Sequence, residues 1–295
     1  MLGSTTTCEA DMGSPPEPEA SSAAPVGEPP ARASIARVYD AALGGTHNTE
    51  VDRRVLEQVR AVAPEVDDLA WSNRRFLGRA VRFLAEQGGV RQYLDCGSGL
   101  PTAENTHQIA RRTDPSARVV YVDNDPTVIA EGGALVAGDP WCRVVAADVF
   151  APAQVLGHED VRGLLDLTEP VALLQVGTLH HHPGDDGAEL MREYVDALPS
   201  GSWVVVAHFL DPGTEELGPL ARRMEEVFVH SPMRSGLFRT REQITAFLPG
   251  LELVPPGPGR PGELELCDLW WPDGPRLRPL TPVQQCIAGA VARKP

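Results

Sequence analysis

The chain has 295 residues and a formal net charge of −15 at pH 7. This length suits one large α/β domain with appended segments. An acidic chain without a run of Lys or Arg lacks the usual surface for phosphate binding, so we expect no nucleic-acid partner. No apolar stretch reaches about 18 residues and no basic start precedes an apolar core, so neither a membrane span nor a signal peptide is predicted.

The five cysteines are odd in number, scattered, and never arranged as C-x-x-C. This pattern is typical of reduced thiols rather than of a disulfide or zinc framework. We therefore expect a cytoplasmic protein.

The first 33 residues are rich in Pro, Ala, Ser, Thr and Glu and poor in large apolar side chains. Such a segment buries too little surface to offset its ordering entropy, so residues 1–33 are predicted to form a disordered leader. Residues 34–89 are predicted to form a helical cap, with breaks at G-G-T-H-N and at Gly88-Gly89. Its expected helices cover residues 34–43, 49–62 and 67–87.

From residue 90 onward, short apolar runs alternate with helical patterns. The predicted strands cover residues 92–95, 118–123, 142–147, 171–176 and 203–209. The predicted helices cover residues 103–112, 126–137, 185–198, 215–229 and 240–248. This rhythm predicts an α/β fold for residues 90–295, a three-layer sandwich with a mostly parallel sheet covered on both faces. Two later apolar runs, L-E-L-V and E-L-E-L-C-D-L-W-W, could pair as its antiparallel end.

A glycine turn, L-D-C-G-S-G-L-P-T, follows the first predicted strand. Gly97 and Gly99 lie at the carboxyl end of that strand, where open α/β sheets bind ligands. The turn lacks the third glycine of G-x-G-x-x-G and the G-K-[ST] of a phosphate loop. A dinucleotide, a nucleoside such as S-adenosylmethionine, or a plain tight turn all remain open from this motif alone.

Acidic side chains end three successive strands. Asp95 ends the first, Asp123 the second and Asp148 the third. A carboxylate at the second position can accept hydrogen bonds from both hydroxyls of a ribose. Asp148 could accept from an adenine amino group while the N–H of Val149 donates to the ring. Asp125 precedes Pro126 and is interpreted as a helix N-cap.

These blocks resemble the successive cofactor motifs of class I S-adenosylmethionine-dependent methyltransferases. More narrowly, A-R-V-Y-D-A-A-L-G-G-T-H-N, N-R-R-F-L-G-R-A-V-R-F-L, G-V-R-Q-Y-L-D-C-G-S-G-L-P-T and R-V-V-Y-V-D-N-D-P resemble an actinobacterial family named S-adenosyl methyltransferase. The resemblance implies a Rossmann-like class I methyltransferase fold, S-adenosyl-L-methionine as cofactor, and N-terminal helices over the cofactor cleft. The residues expected to bind the cofactor are Asp95, Gly97, Ser98, Gly99, Asp123, Asn124, Asp148, Val149, Gln175 and Arg37.

Arg37 and the G-G-T-H-N turn are expected either to close on the methionine carboxylate or substrate, or to serve structure alone. A guanidinium suits a carboxylate ligand, and an ion pair between neighbouring helices is the alternative. Asn73 and Arg74 begin the N-R-R-F-L block, and for Asn73 a local hydrogen bond near a helix start is favoured.

Three consecutive histidines, His180, His181 and His182, follow the fourth strand, in a loop that borders the transferred methyl in class I methyltransferases. His180 or His181 is the predicted catalytic base, with an unperturbed pKa near 6.5. A metal site completed by Asp185 or His208 is the alternative, although neighbours in extended backbone point to opposite faces. A polar loop without a special task also remains open, and no metal is predicted.

The predicted function is methyl transfer from S-adenosylmethionine to an O or N nucleophile of a small molecule. One alternative is a protein that binds S-adenosylmethionine or S-adenosylhomocysteine without transfer. Another is a non-methylating enzyme on the same fold that uses the histidines or a metal. Fold alone does not identify the acceptor.

Overall fold

The computed structural model describes Met1, residues 32–101 and residues 104–295. The predicted disordered leader therefore lies almost entirely outside the described residues. Among them, no helix is both long enough and apolar enough to cross a bilayer.

Three N-terminal helices form where the apolar spacing predicts them: α1 (Ile35–Ala42), α2 (Glu50–Arg60) and α3 (Asp67–Glu86). Ser34 caps α1 by accepting from the Arg37 N–H, and a capping box formed by Thr49 and Asp52 begins α2. These contacts supply partners for N–H groups that the first turn of a helix leaves free. The division into a cap at residues 34–89 and a core at residues 90–295 stays a prediction.

Five parallel strands form the sheet that the alternating pattern predicts. They are β1 (Gln92–Cys96), β2 (Arg118–Asp123), β3 (Cys142–Ala146), β4 (Ala172–Val176) and β5 (Trp203–Phe209). The helices that follow or connect them are α4 (Thr106–Ala110), α5 (Pro126–Leu135), α6 (Pro152–Gly157), α7 (Glu159–Leu164), α8 (Gly187–Ala197), α9 (Gly218–His230) and α10 (Arg241–Thr245). Asp125 caps α5, as expected, by accepting from the Thr127 N–H.

The antiparallel end of the sheet differs from the prediction. The two late runs contribute β6 (Glu252–Leu253) and β7 (Glu265–Leu266), which do not pair with each other. Both pair instead with a strand that the sequence pattern missed, β8 (Ile287–Arg293), which also runs antiparallel beside β5. The main path of the sheet has the order β3-β2-β1-β4-β5-β8-β6.

Strand β8 escaped detection because its sequence, I-A-G-A-V-A-R, contains mainly small residues that are depleted in strands. The structure supplies a reason for the small side chains. A Cβ at Gly289 would stand 2.6 Å from the ring of Phe76 on α3. Close packing of α3 on the sheet therefore requires glycine there.

The apolar core lies on both faces of the sheet. One cluster joins side chains of α2, α3 and α9 to one face, and the other joins α6, α7 and α8 to the opposite face. The strand order reverses between β1 and β4. From β1 the chain continues to β2 and β3 on one side, and from β4 it continues to β5 on the other side. In such sheets a crevice opens outside the carboxyl ends of the strands at this reversal. The expected three-layer α/β fold is therefore confirmed.

Candidate functional site

A cleft with a volume of about 250 Å³ opens at this carboxyl edge, beneath α1 and α3. Its floor comes from the ends of β1, β2, β4 and β5, and its roof comes from the N-terminal helices. Seven predicted cofactor residues line it together: Asp95, Gly97, Ser98, Gly99, Asp123, Asn124 and Val149. Both predicted catalytic histidines, His180 and His181, also line the cleft.

The glycine turn has backbone conformations that favour glycine. Gly97 has φ of +75° and Gly99 has φ of +64°, both in the left-handed region. A Cβ at Gly97 would approach the Thr178 side chain to 2.6 Å. Thr178 is held there because its hydroxyl donates to the Cys96 carbonyl at 2.9 Å. The turn after β1 and the turn after β4 therefore pack directly against each other.

Asp123 receives backbone N–H groups on both carboxylate oxygens. Gly99 donates to Oδ2 at 3.0 Å, while Asn124 and Asp125 donate to Oδ1 at 2.9 and 3.0 Å. Burial raises the pKa of this carboxyl above its ordinary value, and the three N–H donors oppose that rise. The Gly99 bond links the acid to the glycine turn, so the two parts of the predicted site form one unit.

Asp95 lies deeper than Asp123 and is 6% exposed. Its Oδ2 accepts from the Thr106 hydroxyl at 2.6 Å. Burial raises the pKa of the Asp95 carboxyl to about 6. The side chain thus joins the strand end to the start of α4, below the turn that carries Gly97.

Asp148 and Gln175 do not line the cleft, which differs from their predicted role. Asp148 is exposed and accepts from the Phe150 N–H at 2.9 Å, which closes a local turn. Gln175 is fully buried, and its amide has no hydrogen-bond partner among the described residues. Because side chains alternate along a strand, Gln175 shares the sheet face of Leu173, which packs into the α6–α8 core.

Arg37 also lies outside the cleft lining, and its guanidinium forms the interhelical ion pair that was the alternative interpretation. Its Nε donates to Asp52 Oδ2 at 2.9 Å. In the following turn, Asp40 accepts from the His47 N–H and the Asn48 amide at 2.9 and 2.8 Å. These side chains therefore hold the cap together rather than face the cleft.

Arg74, which the sequence did not single out as a ligand residue, is the cation that lines the cleft near the glycine turn. Among the described residues no carboxylate lies within ion-pair distance of it. Its guanidinium contacts the Glu104 carbonyl, and its charge opposes the rise in the Asp95 pKa. The signal in the sequence was its place in the N-R-R-F-L block, about two helical turns beyond the start of α3.

Asn73 makes a long-range contact instead of the local one expected for it. It lies within α3 rather than at its start and is 6% exposed. Its Nδ2 donates to the Tyr39 hydroxyl at 3.1 Å. A Cβ on Gly177, in the turn after β4, would stand 2.8 Å from that amide nitrogen. Asn73 thus brings the cap against the turn that leads to the histidines.

The three histidines point to different partners. His181 Nδ1 pairs with the Ser235 hydroxyl at 2.9 Å, and His182 Nε2 pairs with Asp186 Oδ1 at 2.7 Å. His180 stacks on Phe209 with ring centroids 3.7 Å apart and an interplanar angle of 9°. Among the described residues, no group of three or more His, Cys, Asp or Glu is placed to hold a metal ion.

A buried arginine holds the loop that carries these histidines. Arg239 donates to the Gly184 carbonyl and to His208 Nε2, each at 3.0 Å. Because Nε2 accepts, the proton of His208 is on Nδ1, which donates to the Phe209 carbonyl at 2.7 Å. His208 is therefore a neutral imidazole, and its ring packs edge-on against His180 at 5.4 Å.

The premise of an unperturbed histidine pKa does not hold in this environment. Burial lowers the pKa of His181 and of His208 to about 3. Burial, followed by the nearby His181, His208 and Arg239, lowers the pKa of His180 well below its ordinary value. His180 and His181 are neutral at pH 7 and are weak bases. Their lowered pKa values therefore do not support the predicted role as general bases.

Comparisons with known proteins agree with this geometry. Residues 29–295 match the family model described as S-adenosyl methyltransferase. A Thermobifida fusca protein assigned as a methyltransferase is 39% identical, with a TM-score of 0.82 over 89% of this chain and 95% of that chain. A Streptomyces avermitilis protein of the DUF574 family is 34% identical, with a TM-score of 0.80 over 90% of this chain and 98% of that chain. No curated protein matches this chain.

The family match spans most of the chain, and both similar structures are covered almost completely. The cofactor of this family is S-adenosyl-L-methionine, and the fold is that of the class I enzymes. The chain belongs to the S-adenosyl methyltransferase family.

Proposed function

We propose that this protein transfers the methyl group of S-adenosylmethionine to an oxygen or nitrogen nucleophile of a small molecule bound in the cleft. The observation that carries the proposal is the continuity of this cleft along the sheet edge. Its acids lie at the ends of β1 and β2, and its aromatic and histidine side chains lie at the neighbouring ends of β4 and β5. Cofactor and acceptor would therefore lie side by side.

The residues present fit the cofactor. Both glycines of the turn have left-handed backbone, and the Cβ position of Gly99 has no described atom within 4 Å, which leaves space for a close ligand. The Asp123 carboxylate would accept from the ribose hydroxyls, and Arg74 would pair with the methionine carboxylate. Gly97, Ser98 and Gly99 would border the methionine part. The roles predicted for Asp148, Gln175 and Arg37 receive no support from their positions.

S-adenosylmethionine supplies an electrophilic methyl group on a sulfonium. The acceptor atom would form a bond to that carbon as the carbon–sulfur bond breaks, with its electron pair left on sulfur and the acceptor proton released. The contribution of this chain would be to hold the acceptor in line and to exclude water, because correct positioning can supply much of the rate enhancement. Neutral His180 would orient the acceptor through a hydrogen bond rather than take its proton.

Calorimetric titration with S-adenosylhomocysteine tests the cofactor site. We expect saturable binding that Asp123→Asn weakens by roughly 10- to 100-fold, since a hydrogen bond to a carboxylate is worth about 1.5–3 kcal/mol. Asp114→Asn is the matched control, because Asp114 precedes β2 at the opposite edge of the sheet and pairs with Arg91. Equal affinities for the two variants would contradict the assignment of Asp123.

Methyl transfer itself is tested with methyl-labelled S-adenosylmethionine and a panel of phenols and aromatic amines, with products separated by mass. A labelled product that requires the protein supports the proposal. Tight cofactor binding with no labelled product from any phenol or amine would favour the alternative, a protein that binds S-adenosylmethionine without transfer.

A further inference from the structure

Two buried polar atoms in the cleft lining have no hydrogen-bond partner among the described residues. They are Oδ1 of Asn73 and Nδ1 of His180. Asn73 is 6% exposed and His180 is 3% exposed, and both residues line the cleft. A buried polar atom without a partner is costly, so native structures satisfy such atoms with protein, water or ligand.

The hydrogen-bond chain at Asn73 fixes which of its atoms is free. The Tyr39 hydroxyl donates its single proton to the Ala70 carbonyl at 3.1 Å. The hydroxyl oxygen must therefore accept from Asn73, whose Nδ2 lies 3.1 Å away. This arrangement leaves Oδ1 of Asn73 as an acceptor that requires a donor from the cleft.

The second free atom belongs to a neutral ring. Burial and the nearby Arg239 charge keep the His180 imidazole unprotonated, so its Nδ1 can donate or accept according to tautomer. The turn at Gly177 packs against the Asn73 amide and leads directly into the short helix Leu179–His181. The two free atoms thus lie on the same part of the cleft wall, beside the turn after β4.

The remainder of this part of the cleft is apolar. We define the apolar wall as Val38, Leu56, Leu69, Phe209, Phe228 and Met233, which all line the cleft. The ring of Phe209 stacks on His180 on one side and lies 5.6 Å from Phe228, with an interplanar angle of 18°. Nearly parallel rings form a wall that suits a flat apolar group.

No residue of the apolar wall carries a charge, and the turns after β4 and β5 contribute no charged carboxylate, Lys or Arg to the cleft lining. Of the residues that line the cleft, Arg74, Asp95, Asp123 and Asp125 carry charge, and they belong to the α3 segment or to the ends of β1 and β2. The apolar wall therefore offers no partner for a charged group on the acceptor, and burial of such a group there would be costly.

We propose that the methyl acceptor is a flat, uncharged, mainly apolar alcohol of the phenol class, whose hydroxyl is held by Asn73 Oδ1 and His180 Nδ1 against the apolar wall. This inference rests on the proposed function and specifies its acceptor. A hydroxyl donates a hydrogen bond to Asn73 and accepts one from a His180 N–H while retaining a lone pair for the methyl carbon. Its proton is released to water as the carbon–oxygen bond forms.

The test compares two probes that have the same ring system and an oxygen at the same position, of which only the first can donate a hydrogen bond. In the presence of saturating S-adenosylhomocysteine, and again without it, the full chain is titrated with 2-naphthol and with 2-methoxynaphthalene. We expect 2-naphthol to bind at least about tenfold more tightly, since a buried acceptor left without a donor is costly. Asn73→Leu and His180→Phe should each reduce this preference while the affinity for 2-methoxynaphthalene stays the same or rises.

His230→Leu is the control, because His230 is exposed at the end of α9 and does not line the cleft. Two independent variants keep the test valid if one of them fails to fold. Equal affinity of the wild type for both probes, or no saturable binding of 2-naphthol, would overturn the acceptor assignment. If S-adenosylhomocysteine still binds in that case, the cofactor site stands; if it fails to bind, the proposed function itself is refuted.

Discussion

Replacement of His208 by Gln should make the protein less sensitive to acid. His208 is fully buried and neutral, with Nε2 accepting from Arg239. Its pKa lies near 3 in the folded protein and near 6.5 in the unfolded chain. A Gln side chain can offer a carbonyl oxygen to Arg239 but has no proton to gain in this pH range.

The sign and the size follow from the two pKa values. As the pH falls below about 6.5, the unfolded chain binds a proton at His208 and the folded protein does not, so stability decreases. Between pH 7.5 and pH 5 this single group lowers the free energy of unfolding by about 2 kcal/mol. His181, whose pKa is also about 3, acts in the same direction, whereas Asp95, with a pKa of about 6, opposes both. Those contributions are common to wild type and variant.

Urea denaturation at a series of pH values from 7.5 to 5 measures the difference. We expect the wild type to lose about 2 kcal/mol more than His208→Gln over this range. The comparison uses the slope with pH, so a constant loss of stability from the substitution does not affect it. Parallel stability curves would refute the reasoning, because they would mean that His208 gains its proton at a similar pH in both states.

Two further substitutions test the cofactor end of the cleft. Gly97→Ala should lower the free energy of unfolding by about 2–4 kcal/mol, because of its left-handed φ and the collision with Thr178. Gly133→Ala is the control and should be neutral or stabilising, because Gly133 lies within α5 and no described atom lies near its Cβ position. Equal thermal midpoints for the two variants would contradict this explanation. Arg74→Ala should weaken S-adenosylhomocysteine about tenfold or more in calorimetry but leave adenosine, which lacks the carboxylate, unchanged. An equal loss for both ligands would exclude the carboxylate role of Arg74.

The parallel part of the sheet could be predicted from the sequence because its strands and helix ends are marked by local residue patterns. Short apolar runs such as R-V-V-Y-V-D form strands β1 to β5, and glycine or N-cap residues end or begin several of the helices. Strand β8 was not accessible in this way. Its identity as a strand comes from neighbours on both edges and from the packing of Phe76, which are long-range contacts.

The same distinction applies to the site. The glycine turn and Asp123 follow strands directly, so strand ends predict their position in the cleft. Asn73 and Arg74 are brought to the cleft by the packing of α3 over the sheet, which no local pattern encodes. The guanidinium of Arg37 suits a carboxylate ligand, but it already forms an ion pair with Asp52 on the next helix. The pKa of His180 depends on burial, which the sequence of the loop does not reveal.

The position of β8 has a consequence for how the chain assembles. Roughly 80 residues separate the end of β5 from the start of β8, and ribosomes add about 5–20 residues per second, so β5 waits several seconds for its neighbour during synthesis. Throughout that interval an apolar strand presents unpaired N–H and C=O groups, a template for pairing with another chain. Completion of the sheet by β8 is thus a late, long-range step, and folding yield should depend on how quickly that last gap closes.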